Sequence, residues 1–162
     1  MTSFIPIFKK YYYEISSGNE SVDINFKSDL NSGSFSEILN DSLSKDRFLQ
    51  YTSKGVHKDD LIFTIDGNKI KNFGSQGQQK SFLIALKLAQ FDYYKTKLGN
   101  SPIVLLDDIF DKLDQERVRQ IVEILENKDF SQIFITDTHI ERVKDALSKS
   151  KNKEEIFDLD NN

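Results

Sequence analysis

Two short apolar runs on either side of an amphipathic segment constrain the fold of this 162-residue chain most strongly. Residues 103–106 (Ile-Val-Leu-Leu) and 133–135 (Ile-Phe-Ile) are continuously apolar, whereas residues 115–126 carry apolar side chains at helical spacing. Fully apolar strands joined through a helix are typical of a parallel sheet in an α/β protein. Each run ends abruptly in polar residues, and ligands of such sheets gather at the carboxyl ends of the strands. The sequence therefore predicts an α/β fold with a polar site at that edge.

The composition supports a folded core and excludes several kinds of site. Hydrophobic residues make up 38% and aromatic residues 12% of the chain, which is enough for a core. The formal net charge of −4 argues against a protein that wraps DNA with its whole surface, although a local basic patch is compatible with it. The absence of cysteine excludes disulfides, thiolate zinc sites and cysteine nucleophiles. No apolar run approaches the roughly 18 residues that span a bilayer, so we expect a cytoplasmic protein with no membrane contact.

The remaining pattern predicts shorter elements around one long helix. These are a strand at 22–26, a helix at 35–48 capped by Ser34, a hairpin of strands 61–65 and 69–73, a helix at 78–98 and a closing strand at 156–159. Because the helix at 78–98 is apolar over most of its circumference, we expect it to be buried on more than one side. Residues 9–13 (Lys-Lys-Tyr-Tyr-Tyr) could grip nucleic acid, but we favour a half-buried surface.

Residues 103–108 place two acids directly after an apolar strand. In a Walker B strand the carboxylate holds Mg²⁺, and a neighbouring acid can polarise the attacking water. A buried strand that ends in solvated acids is also common, so this segment alone leaves both interpretations open. Asp114 follows Asp107 by seven positions, and this spacing matches the D-loop of ATP-binding cassette ATPases.

Residues 74–81 (Gly-Ser-Gln-Gly-Gln-Gln-Lys-Ser) lie at the start of the long helix. Ser75 and Gly77 at a helix N-terminus leave free N–H groups and a positive dipole end, which are suited to a phosphate. The alternative is an ordinary N-cap at Ser75, with Gly77 relieving a tight turn. The Walker B and D-loop spacing that follows favours the phosphate interpretation.

Together these segments resemble the RecF family, which is related to the SMC-like ATPases. Residues 74–81 look like the signature motif, residues 103–114 like Walker B plus D-loop, and residues 55–61 (Gly-Val-His-Lys-Asp-Asp-Leu) like the family's Gly-x-His-Arg-Asp-Asp-Leu segment. The resemblance implies the carboxyl-terminal part of an ABC-type ATPase head, a P-loop NTPase fold without its Walker A half. Residues 1–57 would then be a remnant of a second lobe, and residues 58–162 part of the ATPase core.

The resemblance also implies roles for individual residues. Asp107 would bind Mg²⁺, and Asp108 stands in the place of the usual catalytic Glu. His139 would either sense a γ-phosphate or begin a helix at the surface. Across an interface between two subunits, the residues implied to contact ATP are Ser75, Gly77, Gln78 and Asp114. Two positions depart from the family pattern, since Gln76 replaces a Gly of the usual Ser-Gly-Gly-Gln and Asp111 replaces the Ser of many D-loops.

The chain contains no Gly-x-x-x-x-Gly-Lys-Ser/Thr, the loop that cradles the β-phosphate. We therefore expect ATP and Mg²⁺ to bind a longer protein that hydrolyses ATP slowly, and we expect this chain to be inactive alone. The resemblance implies an ATP-driven dimeric clamp in DNA repair, replication, recombination and the SOS response. Its partners would be gapped or junction DNA, a second RecF-like subunit and recombination-mediator proteins that help to load recombinase.

Three alternatives remain open. The chain could belong to the head of another SMC-like ATPase, or it could be an interaction module that does not use nucleotide. It could also be a two-metal phosphohydrolase that uses Asp107, Asp108, Asp111 and Asp114. Adjacent Asp107 and Asp108 would point in opposite directions if both continued the strand, which counts against the last alternative.

Overall fold

The computed structural model describes residues 1–128, 130, 132–148 and 155–159 of the chain. The helices in these ranges are α1 (Phe4–Ile15), α2 (Phe35–Leu49), α3 (Ile70–Phe73), α4 (Gln76–Leu98), α5 (Gln115–Asn127) and α6 (Ile140–Leu147). The strands are β1 (Val22–Lys27), β2 (Asp60–Ile65), β3 (Asn68–Lys69), β4 (Ile103–Leu106) and β5 (Gln132–Ile135). Within the described ranges, no helix combines the length and apolarity that crossing a membrane requires.

The parallel pair of strands predicted from the sequence is present. β4 and β5 run parallel, with Val104 opposite Ile133 and Leu106 opposite Ile135, and α5 lies between them in the chain. The two faces of this sheet differ in burial. Val104 and Leu106 are buried, but Leu105 is 71% exposed. The reason is that the described helices cover only the face of the sheet to which the even-numbered residues of β4 point.

The second sheet is antiparallel and has the order β1–β2–β3. Val22 lies opposite Ile65, and Lys27 lies opposite Asp60. The returning strand predicted at 69–73 is wrong beyond its first residue. β3 is two residues long, and the chain then coils into α3, where Ile70 is buried and its carbonyl accepts a hydrogen bond from the N–H of Gly74 (2.8 Å).

Helix α4 forms the centre of the core, and α1 packs along it. α1 buries four side chains at helical spacing, namely Phe8, Tyr11, Tyr12 and Ile15. The interpretation of residues 9–13 as a half-buried surface is therefore wrong for Tyr11 and Tyr12, because helical spacing turns both rings inward. On α4, Ala85 and Leu88 are fully buried whereas Leu83 is exposed, so the burial is less complete than its composition suggests. The boundary near residue 57 stays a prediction.

Helix α2 begins as the sequence indicates. Ser34 caps it, and Glu37 completes a capping box by accepting a hydrogen bond from the N–H of Ser34. Most of α2 is exposed, and Ser42 is its one buried residue. The strand predicted at 156–159 is absent, and these residues are irregular. Their apolar side chains are exposed, so they do not pack against the core as a closing strand would.

Candidate nucleotide-binding site

Two adjacent acids lie at the carboxyl end of β4, where the sequence predicts a polar site. Asp108 adopts a left-handed backbone (φ 48°), so the chain leaves the strand direction immediately after Asp107. The hydroxyl of Thr136, at the end of β5, donates to Asp107 Oδ1 and accepts from the N–H of Asp108 (3.1 Å). The N–H of Thr136 donates to the carbonyl of Leu106 (2.9 Å). One threonine therefore fixes both acids at the edge where the two strands end.

The side chains at this edge fit Mg²⁺. Asp107 is exposed, and Asp108 Oδ1 is buried without a hydrogen-bond partner. Carboxylate and hydroxyl oxygens are the hard ligands that Mg²⁺ accepts, and this ion is usually held by one or two carboxylates together with substrate phosphates. Asp107 would therefore hold the ion. Once bound, Mg²⁺ neutralises charge on the phosphates of a nucleotide.

The signature-like segment begins α4 with a capping box. The hydroxyl of Ser75 accepts from the N–H of Gln78 (3.2 Å), and Gln78 Oε1 accepts from the N–H of Ser75 (2.8 Å). The N-cap is thus a fact of the structure, whereas the contact of Ser75 with a phosphate stays a prediction. The side-chain amide of Gln78 donates to Glu20 (2.9 Å), so this residue is turned toward the protein interior.

Gly77 brings α4 close to the D-loop-like segment, residues 111–114. A Cβ atom at Gly77 would lie 3.1 Å from the carbonyl oxygen of Lys112, so only glycine allows this approach without a shift. One helical turn later, Lys80 donates to the carbonyl oxygen of Asp108 (2.5 Å), and its Nζ lies 3.9 Å from the carboxylate of the same residue. Lys80 was not among the residues predicted from the sequence, although its i, i+3 spacing from Gly77 places both on one helix face.

Asp114 and Asp111 contact residues of their own segment and of α5. Asp114 caps α5 by accepting from the N–H of Arg117 (2.8 Å), and Asp111 lies 3.9 Å from the amino group of Lys112. Among the described residues, no group of three or more histidine and acidic side chains converges as a metal site would require. The two-metal hypothesis therefore gains no support, and the ATP contact assigned to Asp114 stays a prediction.

His139 occupies the N-cap position of α6, where its side chain is 66% exposed and makes no capping hydrogen bond. Its N–H donates to the buried carboxylate of Asp137 (2.8 Å), which also lies 3.5 Å from Arg142. The structure thus has His139 at a helix start, and its role as a phosphate sensor stays a prediction. In the segment at 55–61, His57 Nε2 lies 2.9 Å from the carbonyl oxygen of Thr52, so this side chain makes a contact within its own loop.

A buried polar network joins α4 and α5 to the turn after α1. Arg117 donates to Glu20 (2.7 Å) and to the buried hydroxyl of Ser81 (3.0 Å). The hydroxyl of Tyr12 donates to the other oxygen of Glu20 (2.5 Å). Burial alone would raise the pKa of Glu20, but hydrogen bonds from Tyr12, Gln78 and Arg117 outweigh it and hold that pKa below its usual value. No local signal in the sequence reveals this network, because Glu20 and Arg117 are far apart along the chain.

Known proteins share this sequence and fold. No protein-family model matches the chain. The DNA replication and repair protein RecF of Flavobacterium johnsoniae is 50% identical over 159 residues, which are 98% of this chain and 44% of the relative. RecF of Azobacteroides pseudotrichonymphae is 46% identical over 160 residues, which are 99% of this chain and 44% of the relative.

Two solved structures of the recombination mediator protein RecF in the RecFOR pathway have a similar fold, and both are 25% identical to this chain. The structure described as RecF-ATP gives a TM-score of 0.66 over 85% of this chain and 39% of that one. The structure described as RecF-ATPrS gives a TM-score of 0.65 over 86% of this chain and 39% of that one.

These matches bear on the expectations drawn from the motifs. The expected ABC-type ATPase fold is confirmed by the two solved structures. The chain spans less than half the length of the curated relatives it matches, and this share is consistent with the expected carboxyl-terminal part. The recognition made from the signature, Walker B and D-loop segments is likewise confirmed, since the chain is RecF-like in both sequence and fold.

Proposed function

We propose that this chain forms the signature, Walker B and D-loop part of the ATP-binding head of a RecF-type protein. The observation that carries the proposal is the arrangement around Asp107 and Asp108. Both acids follow β4, Thr136 directly after β5 holds them, and Lys80 of α4 contacts Asp108. Strand ends and the signature-like helix therefore meet at one edge, as an ATPase head requires.

Each residue at this edge has a distinct task in the proposal. Asp107 binds Mg²⁺, while Asp108 accepts a proton from the attacking water or orients it. The N-terminus of α4, capped by Ser75, offers N–H groups and a positive dipole to a phosphate held by a second subunit. The RecF-type protein is then a slow ATPase that closes as a dimer when ATP is bound.

The biological role that we propose follows the relatives. Proteins named for DNA replication and repair share 43–50% of this sequence over most of its length, and the solved relatives are described as recombination mediators in the RecFOR pathway. ATP-driven closure would form a surface for gapped or junction DNA in the cytoplasm, and recombination-mediator proteins would help to load recombinase there. Because this chain carries a net charge of −4, we expect DNA to contact a local patch of the dimer.

The test uses a longer RecF-type protein that contains this chain. Asp107→Asn should weaken binding of ATP in the presence of Mg²⁺, because the amide is a poorer ligand for the ion. Asp108→Asn should leave ATP binding and dimerisation intact and slow hydrolysis, since an amide cannot accept a proton from water. Titration with labelled ATP, sedimentation and phosphate release measure the three properties. Asp41→Asn, on the exposed face of α2, is the matched control and should change none of them.

Two outcomes would contradict the proposal. The same binding defect in both variants would refute the division of labour between Asp107 and Asp108. A wild-type protein that binds DNA equally well with and without ATP, and that shows no saturable ATP binding, would favour the nucleotide-independent interaction module.

A further inference from the structure

We propose that Arg117 is a positioning residue that sets the N-terminus of α4 against the D-loop-like segment 111–114. This inference rests on the proposed function, because it concerns how the signature-like end of α4 is presented to a nucleotide. Arg117 is not part of any motif discussed above. The proposal comes from its contacts in the folded protein.

The guanidinium of Arg117 contacts three segments of the chain at once. Nη2 donates to Glu20 Oε1 (2.7 Å) in the turn after α1, and Nη1 donates to the hydroxyl of Ser81 (3.0 Å) on α4. Nε lies 3.3 Å from Asp114 Oδ2 at the start of α5. The side chains of Arg117 and Glu20 are only 14% and 13% exposed. A planar fork can serve acceptors in several fixed directions, whereas a lysine ammonium on a flexible stem cannot hold the same geometry.

A continuous series of polar contacts runs from the D-loop-like segment to the cap of α4. Asp114 contacts Arg117, and Arg117 donates to Glu20. Glu20 Oε1 also accepts from the amide of Gln78 (2.9 Å), whose own oxygen accepts from the N–H of Ser75 (2.8 Å). The residue that begins α5 is therefore linked to the residue that begins α4. A change at Arg117 is transmitted to Ser75 through contacts that are each within 3.3 Å.

A neighbouring part of the same end of α4 is held by a second set of contacts. Gly77 lies against the carbonyl of Lys112, and Lys80 donates to the carbonyl of Asp108. The first turns of α4 are thus held by two sets of contacts, one through Arg117 and Glu20 and one to the segment between β4 and α5. With the network of Arg117 removed, the contacts of Gly77 and Lys80 would remain, but the link from the start of α5 to the cap of α4 would be lost.

The buried ion pair of Arg117 and Glu20 is suited to fixing the position of α4. The cost of removing two charges from water offsets most of their mutual attraction, so a buried ion pair contributes little net stability compared with apolar residues. Its hydrogen bonds are directional, however, and they are satisfied only when Glu20, Ser81 and Asp114 surround Arg117 as they do here. The pair therefore favours one position of α4 over slightly shifted ones.

The test replaces Arg117 by Lys in the longer RecF-type protein, so that the charge stays and the fork is lost. We expect ATP-dependent dimerisation to weaken about tenfold, the factor that corresponds to losing one charge-assisted hydrogen bond. ATP affinity of the monomer should stay within about twofold, because Arg117 contacts no nucleotide in its own subunit. Arg119→Lys is the matched control, since Arg119 lies on the same helix and forms an exposed pair with Glu116 (2.5 Å). It should leave both properties unchanged.

Val118→Ala separates positioning from general loss of stability. Val118 is buried on α5 and lies next to Arg117 in sequence, so its truncation should lower the melting temperature without disturbing the polar network. If Arg117→Lys impairs dimerisation no more than Val118→Ala does at equal loss of melting temperature, the positioning role is refuted.

Hydrogen exchange of the nucleotide-free longer protein supplies a readout that does not depend on dimerisation. In Arg117→Lys, the peptide that covers residues 75–81 should exchange about tenfold faster than in Val118→Ala, because the contacts that order the capping box are loosened. Unchanged exchange there would overturn the inference. If the wild-type protein fails to dimerise with ATP, the proposed function fails, and the exchange result still decides whether Arg117 positions α4.

Discussion

Substitutions at Ser75 distinguish a helix cap from a contact made by another subunit. Alanine removes the hydrogen bond that the Ser75 hydroxyl accepts from the N–H of Gln78 (3.2 Å) and keeps the one that its own N–H donates to Gln78 Oε1 (2.8 Å). Loss of an N-cap side chain costs about 1 kcal/mol of stability. For a protein of this size, that loss lowers the melting temperature by about 2–4 °C.

Ser34 provides a matched control within the same chain. It begins α2 with the same kind of capping box. The hydroxyl of Ser34 accepts from the N–H of Glu37 (3.4 Å), and the N–H of Ser34 donates to Glu37 Oε2 (3.1 Å). Ser34→Ala should therefore lower the melting temperature by a similar amount, about 2–4 °C. Neither alanine variant should change the affinity of a monomer for ATP.

Arginine at the two caps separates the hypotheses. In a longer RecF-type protein, Ser75→Arg should abolish ATP-dependent dimerisation, because a bulky cation would occupy the place where the serine approaches a phosphate of the other subunit. Ser34→Arg loses an equivalent cap and should dimerise normally. Thermal melting, titration of the monomer with ATP and sedimentation with and without ATP measure the three quantities. Unimpaired ATP-driven dimers of Ser75→Arg would refute the contact across the interface and leave Ser75 as a cap only.

Two further predictions concern the chain itself. The isolated chain should bind ATP negligibly, because it has no phosphate-cradling loop, and saturable binding in a titration with labelled ATP would contradict this. The pKa of Glu20 is lower in the folded protein than its ordinary value of 4.5, so its stabilisation is present above that pH and is lost as the pH falls through the folded pKa. Glu20→Gln should therefore lose less stability on acidification than the wild type in urea unfolding, and equal losses would show that Glu20 is not the group responsible.

Local sequence patterns determined several features of this protein. The apolar run at 103–106 and the helical spacing of residues 115–126 were sufficient to predict β4, α5 and a polar site at the strand ends. Ser34 could be recognised as a cap because a capping box is formed by residues only three positions apart. Such patterns act over one or two turns of helix or a few residues of strand, and the neighbouring sequence therefore contains the information.

Packing between distant segments decided features that local patterns do not reveal. Tyr11 and Tyr12 are buried because α1 lies along α4, and a run of Lys and Tyr residues does not reveal that contact. The odd-numbered residues of β4, including Leu105, are exposed because the described helices cover one face of the sheet only. The burial of a strand depends on how many layers surround it, and the apolar character of the strand does not determine that number.

The candidate site shows the same division between local and tertiary information. The sequence alone predicted roles for Asp107, Asp108 and Ser75, because each lies at a fixed spacing within a recognisable segment. Only the tertiary structure brought Thr136 to the acids, and only it surrounded Arg117 with Glu20 and its other partners. A buried charge is tolerated where partners from other segments surround it, and those partners are chosen by the packing of helices and strands rather than by proximity in the chain.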